Sequence, residues 1–350
     1  MERAVNLYLD LYRFGHHSAE AGEPTMPSGI ELKSVDAPLS QMTGDALTEL
    51  LNDSNADWVA FADRAVNPTM GDLFQLSTVC KTNADVVCVV IPLSPVPELR
   101  GCWKNLPPRL AVLLTQPESH TLIAIRKSAN GEFRDVDAPL WDALIRASSN
   151  RSLAVVLPET PPTNEPVEDA IELPALAAVT PGESRDWLPA HVSKLQDADL
   201  VPEIGNRHDV VALKAGLLQL HDYLDESHDL SQSVQGEGEQ QAGDYWHAIM
   251  HRREPDDSNA KYWFRRVGRN PVYSALADRA DSLLSQCEST AAASWKKRLR
   301  AANGWDPFAF VDLCEHCRQA DDRALTCATE EIQFVEMLLL IEQTYHNACA

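Results

Sequence analysis

Between Tyr245 and Gly268 the chain reads YWHAIMHRREPDDSNAKYWFRRVG, a stretch that concentrates the residue types able to do chemistry. His247 and His251 stand four positions apart. On a helix that spacing projects both imidazoles from one face, about one turn apart, where two ring nitrogens can chelate one ion. Neutral imidazole suits Zn²⁺ or Fe²⁺, so the pair is read as part of a site for one divalent metal. The third ligand comes from His228, Glu254 or Asp256, and the set carried forward is His228, His247 and His251, with one position open to water or substrate. Glu254 lies three residues beyond His251 on the same side of that helix. It can orient an imidazole, or act with His251 as a catalytic acid and base.

A second chemistry competes for the same segment. Arg252, Arg253, Lys261, Arg265 and Arg266 concentrate positive charge in a strongly acidic protein. Guanidinium groups grip phosphate or carboxylate bidentately, and a helix opening at Ser258 would add unpaired amide donors. Arg252, Arg253, Asn259, Lys261 and Arg265 are therefore the expected contacts to a small anionic ligand, phosphorylated ligands included. Hydrolysis or group transfer is the reaction class that such a pocket implies. The competing expectation is structural. Glu254, Asp256, Asp257, Asp225 and Glu226 could pair the cations in a network that locks helices, and the histidines could bond Asp225, Asp244 or Glu336. That alternative makes the protein a noncatalytic sensing or interaction module.

Composition bounds the partners. A chain of 350 residues with 44% hydrophobic content can bury a sizeable core and is long enough for two domains. A formal charge of -22 argues against general binding to nucleic acid or anionic membranes. No apolar run approaches the roughly 20 residues that span a bilayer, and no export signal precedes the first element, so a cytoplasmic protein is expected. The eight cysteines are scattered and are read as reduced thiols. Cys314 and Cys317 in CEHC resemble half a zinc knuckle, but no second pair follows at a fitting distance.

The elements that must position the motif follow from periodicity. Short apolar runs at Ile30–Val35, Trp58–Ala62, Val86–Ile91, Leu122–Arg126 and Val155–Leu157 predict strands. Helical spacing appears at Gly44–Leu51, Met70–Cys80 and Leu140–Ser148. Residues 1–157 thus read as a small α/β domain, and 158–205, rich in Pro and Glu, as a linker. Residues 206–350 read as an all-α domain: Val210, Leu213, Leu217, Leu220 and Leu224 form one buried stripe, and Ser227–Gly238 is a polar turn. Asp244 is the expected cap of the helix ended by Pro255, and Ser258 or Asn259 opens the next. Further helices are expected at Val272–Ser285, Ala291–Ala302, Pro307–Arg318 and Glu330–Asn347, with Glu336 facing the interior toward the motif. The expected fold is an α/β N-terminal domain plus an all-α C-terminal domain, joined by a Pro-rich linker.

Two resemblances accompany this reading. The run SHDLSQSVQG from Ser227, followed by DYWHAIMHRREPDDSNAKYWFRRVG, resembles a family of uncharacterised proteins of planctomycete-type bacteria, over roughly the last 145 residues. That likeness implies membership and no activity. The N-terminal half is similar to GT-A-type glycosyltransferases through ADWVAFADRAVNP (Ala56–Pro68), LIAIRKS and the WDALIR helix. It implies a nucleotide-sugar site on an α/β sheet. Asp63 stands near the metal position of that family, but Ala65 occupies the place of its second acid.

Overall fold

The structure, a computed structural model, describes residues 9–14, 30–35, 39–63, 68–114, 120–133, 136, 138–158, 173–177, 185–300 and 304–350. The chain divides into two units, Met1–Glu172 and Leu173–Ala350. The first is α/β and the second helical, the fold class expected.

The first unit is built on a six-stranded mixed sheet, β1 (Leu9–Phe14), β2 (Ile30–Val35), β3 (Trp58–Asp63), β4 (Cys88–Pro92), β5 (Thr121–Arg126) and β6 (Leu153–Val155), in the order β2-β1-β3-β5-β4-β6. Only β5 runs antiparallel to its neighbours; the other pairings are parallel. Helices α1 (Gly44–Asp53), α2 (Met70–Thr82), α3 (Pro97–Asn105), α4 (Pro108–Val112) and α5 (Pro139–Ser149) belong to this unit. Strands β3, β4 and β5 are buried along nearly their whole length because both their faces are covered, and Trp58, Ala60, Val89, Ile91, Leu122 and Ala124 pack with Leu73, Leu76 and Cys80 of α2. Helix α2 starts at a capping box: Thr69 accepts from the Asp72 amide while the Asp72 carboxylate accepts from the Thr69 amide.

Strand β1 is absent from the sequence expectation, although it lies between β2 and β3. Its Asp10 is buried, bonded by Lys33 Nζ at 2.6 Å and Ser54 Oγ at 2.8 Å, so a charged residue occupies a place that apolar alternation would reserve for a hydrophobe. Helices α3 and α4 were also unforeseen, and the last strand is Leu153–Val155, slightly earlier than expected.

The second unit comprises α6 (Leu188–Lys194), α7 (Asp197–Leu200), α8 (Arg207–Leu220), α9 (Leu224–Ser233), α10 (Ala242–Arg253), α11 (Asp257–Val267), α12 (Val272–Gln286), α13 (Ala292–Leu299), α14 (Pro307–Gln319) and α15 (Arg323–Cys349). Part of the expected linker therefore folds. Helices α6 and α7 bury Leu188, Val192 and Leu200, and the short segment Leu173–Ala177 buries Pro174 and Leu176. The rest of that Pro/Glu-rich stretch, 159–172 and 178–184, lies outside the described residues.

Helix α10 is the axis of the unit, buried along its whole length and flanked by α8, α9 and α11. Gly216 of α8 permits this, because a Cβ there would stand 2.5 Å from the Trp246 indole of α10. The expected polar turn at Ser227–Gly238 is replaced over its first half by α9, which hides Leu224 and two serines, Ser227 and Ser231. Asp244 is not a cap: it sits inside α10, and its carboxylate accepts from the Gly236 amide and from Arg266 Nε. Asp256, not Ser258 or Asn259, caps α11 by accepting from the Asn259 amide at 3.1 Å.

Candidate metal centre

A helix buried all round must find partners for every polar side chain it carries. Successive residues of α10 are about 100° apart, which sorts its polar groups onto three faces. His247, His251 and, just past the end, Glu254 share one face. Tyr245 and Arg252 share the opposite one, toward α15, and Trp246 and Arg253 share a third, toward α8.

The first face meets α9 and α11. His228 of α9 stands edge-on to both α10 imidazoles, its ring centroid 4.7 Å from His247 and 5.7 Å from His251. The His247 and His251 rings lie 4.8 Å apart at 25°. One ring nitrogen from each of the three residues falls within 4.8 Å of the other two. Tetrahedral coordination at bonds of 2.0–2.1 Å needs nitrogens about 3.3 Å apart, so small side-chain rotations would close the set on one ion. His247 and His251 are buried, and His228 is half-buried, which leaves the third imidazole as the solvent side of the group.

Burial favours the neutral, metal-binding form of the two α10 rings. Burial, reinforced by the neighbouring imidazoles and Arg266, pushes His247 down to about 3. Burial also lowers His251, against the opposing pull of the Glu254 carboxylate. Nδ1 of His247 is buried and has no hydrogen-bond partner among the described residues, an arrangement that costs about 1–3 kcal/mol unless something else engages it. Trp263 of α11 stacks on the same ring at 3.9 Å and 18°, closing one side of the group. Glu254 Oε2 lies 3.1 Å from His251 Nδ1, and Asn259 Nδ2 lies 3.0 Å from His251 Nε2.

The expected anion contacts fare differently. Arg252 and Arg253 are both fully buried and do not line an open pocket. Arg252 donates to Glu336 Oε2 at 2.6 Å, and its guanidinium lies over the Phe310 ring at 4.5 Å. Arg253 is bonded to Asp222 and to the carbonyls of Gln219 and Ala175. Lys261 and Arg265 turn to α14, where Lys261 meets Asp312 at 2.5 Å and Arg265 covers Phe308 at 5.7 Å. Of the expected anion contacts, only Asn259 reaches the histidine group. Asp256 is engaged as the α11 cap, and Glu254 touches His251 without joining the three-nitrogen set.

Two residues of the group were missed as site residues: Trp263 and Arg266. With Asn259 they recur at i, i+4 and i+7 on α11, one helical face, and Arg266 lies over the Trp263 ring at 5.1 Å. That spacing is legible, but by sequence Trp263 reads as core and Arg266 as one cation among several. Cys314 and Cys317 sit buried in α14; burial first of all raises the Cys314 thiol to about 12, and Cys317 Sγ lies 3.4 Å from Thr329 Oγ1. They join no metal-binding group among the described residues.

In the first unit Asp63 closes β3 and pairs in register with Phe14 at the end of β1. Ala65 lies outside the described residues. No helix among the described residues is long and apolar enough to cross a membrane. No protein-family model matches the chain, and no curated protein matches it.

Proposed function

We propose that the helical unit holds one divalent transition metal through His228, His247 and His251, and that the metal's open position binds a small anionic ligand or an activated water. The observation that carries this reading is the convergence of three ring nitrogens within 4.8 Å, two of them on buried rings. Three neutral nitrogens with no thiolate suit Zn²⁺, Co²⁺, Ni²⁺, Cu²⁺ or Fe²⁺ and disfavour Mg²⁺ and Ca²⁺, which demand oxygen. Such a ligand set leaves the ion's double positive charge uncompensated, so the anion-binding charge comes from the metal and not from Arg252 and Arg253. Three protein ligands plus an open position is also the arrangement in which bound water loses a proton near neutral pH, which makes hydrolysis the supported reaction class.

Metal content decides the matter. Protein purified without chelator should carry about one equivalent of transition metal by elemental analysis, or take up one equivalent of Zn²⁺ after stripping. His247→Ala and His251→Ala should each abolish tight uptake. Absence of uptake by the intact protein rules out the centre.

A second reading concerns the first unit. Strands β2 and β3 leave β1 on opposite sides, so the strand order reverses between β1 and β3, and open α/β sheets bind ligands outside the carboxyl ends at such a reversal. Asp63 stands at that place, which favours the nucleotide-sugar binding suggested by the GT-A-like stretch. Thermal-shift measurements with UDP-sugars and Mn²⁺ test it, since a ligand of the native state raises apparent stability.

A further inference from the structure

We infer that the metal is taken by His247 through Nδ1 and by His251 through Nε2, with Glu254 as the positioning residue that enforces the second choice and Asn259 as an internal competitor that the metal displaces. The inference rests on the three-histidine reading above and specifies how it works. His251 is the anchor of the argument. A carboxylate only accepts hydrogen bonds, so with Glu254 Oε2 at 3.1 Å from Nδ1 the neutral ring must carry its proton there. The lone pair is then on Nε2. Asn259 Nδ2, a donor, is 3.0 Å from that nitrogen and 3.4 Å from Nδ1; with the Nδ1 proton given to Glu254, only Nε2 can accept from it. A carboxylate–imidazole–metal relay of this kind fixes the ring's tautomer and raises the basicity of its coordinating nitrogen.

His247 faces the opposite situation. Its Nδ1 is the buried ring nitrogen without a partner, while Trp263 covers the ring face at 3.9 Å. No carboxylate among its described neighbours supplies an acceptor that would hold a proton on Nδ1. Two histidines one turn apart therefore present different nitrogens to the same ion, one tautomer imposed by Glu254 and the other left to the metal. The turn Glu254–Asn259 wraps His251 from both sides: Asp256 donates its amide to the His251 carbonyl at 2.9 Å and caps α11, which fixes Asn259 beside the ring. Asn259 thereby satisfies Nε2 in the metal-free protein and must yield when the ion arrives.

Two independent measurements test this. In chelator-stripped full-length protein, Zn²⁺ affinity is measured by competition with a chromophoric chelator for wild type, Glu254→Ala, Glu254→Gln and Asn259→Ala, with circular dichroism to confirm folding. Glu254→Ala should weaken binding about 10- to 100-fold, and Glu254→Gln, whose amide oxygen still accepts from Nδ1, should recover part of the loss. Asn259→Ala should tighten binding, by up to about tenfold, because one competing hydrogen bond is gone. On the wild type alone, long-range ¹H–¹⁵N spectra of the Zn²⁺ form should assign metal-bound Nδ1 to His247 and metal-bound Nε2 to His251. Zn²⁺ binding with both rings coordinated through the same nitrogen, or unchanged affinity in Glu254→Ala, overturns the inference while leaving the metal centre standing. Weaker binding in Asn259→Ala makes Asn259 a ligand and overturns its assignment as competitor. Failure of the wild type to bind Zn²⁺ at all removes the centre itself, and this inference with it.

Discussion

Arg252 carries its charge where no water reaches it. Its Nη2 donates to Glu336 at 2.6 Å, Tyr245 Oη donates to the other oxygen of the same carboxylate at 2.9 Å, and Gln333 lies at 3.4 Å. The pair is not evidence of large net stability, since desolvating both ions offsets most of their attraction. Removing one partner is a different matter. Glu336→Ala should cost about 3–5 kcal/mol in urea unfolding, because an uncompensated guanidinium would remain in the core. Replacing Arg252 and Glu336 together by leucine should recover most of that loss. A single-variant loss below about 1 kcal/mol would mean that water already reaches the pair. His120 gives the corresponding argument for pH in the first unit. Burial pushes it down to about 3, against about 6.5 when unfolded. Above pH 6.5 neither state is protonated, and the residue leaves stability unchanged. Below that pH the unfolded chain takes up a proton that the folded chain refuses, so stability falls by up to about 1.4 kcal/mol per pH unit, and the fall ends near pH 3. His120→Gln should flatten the stability profile between pH 6.5 and 4 by about one proton's worth. An unaltered slope would show that His120 is accessible to solvent.

At the scale of elements, the parts of the site that were legible are those whose signals are local. The i,i+4 histidines and Pro255 mark α10 correctly, because helix spacing and the proline stop are short-range properties, and α10 ends at Arg253. Periodicity places Glu336 inward, with the motif's arginines or histidines as expected partners; Arg252 is that partner. Helix α9 was not legible as a helix. Its sequence LDESHDLSQS buries one leucine and two serines, and serines hidden in a helix interface carry no hydrophobic signal. Hence the sequence marks His228 as a ligand while its element reads as a turn. The arginines mislead for a related reason. Charge clustering in sequence looks like a ligand pocket, but on a fully buried helix consecutive residues face different neighbours, so Arg252 and Arg253 pair with α15 and the α8–α9 turn.

At the scale of the whole molecule, the boundary between the units falls at Glu172–Leu173, whereas proline content had suggested that the helical part begins at residue 206. The difference has a physical cause. Composition registers the absence of periodicity in Leu173–Ala177, but not that its carbonyls are specifically held. Gln333 Nε2 donates to Pro174 O and Ala175 O at 3.1 Å each, and Arg253 Nε donates to Ala175 O at 3.2 Å. Pro174 and Leu176 are buried on alternate positions, and α6 and α7 add Leu188, Val192 and Leu200 to the core of the unit. A fragment of residues 173–350 should therefore fold cooperatively and bind Zn²⁺ as the full chain does. A fragment of residues 206–350 would leave the Arg253 and Gln333 donors unmatched, and each buried donor so abandoned costs about 1–3 kcal/mol. The apolar surface stripped by loss of α6, α7 and the Leu173–Ala177 segment adds about 1.5–3 kcal/mol for each large side chain that had covered it. Against a total stability of about 5–15 kcal/mol, the shorter fragment should be largely unfolded or aggregated, with its near-ultraviolet dichroism lost and its far-ultraviolet helix signal reduced. Equal unfolding midpoints for the two fragments would show that the segment before residue 206 adds nothing to the unit, and that the boundary suggested by composition was the physical one.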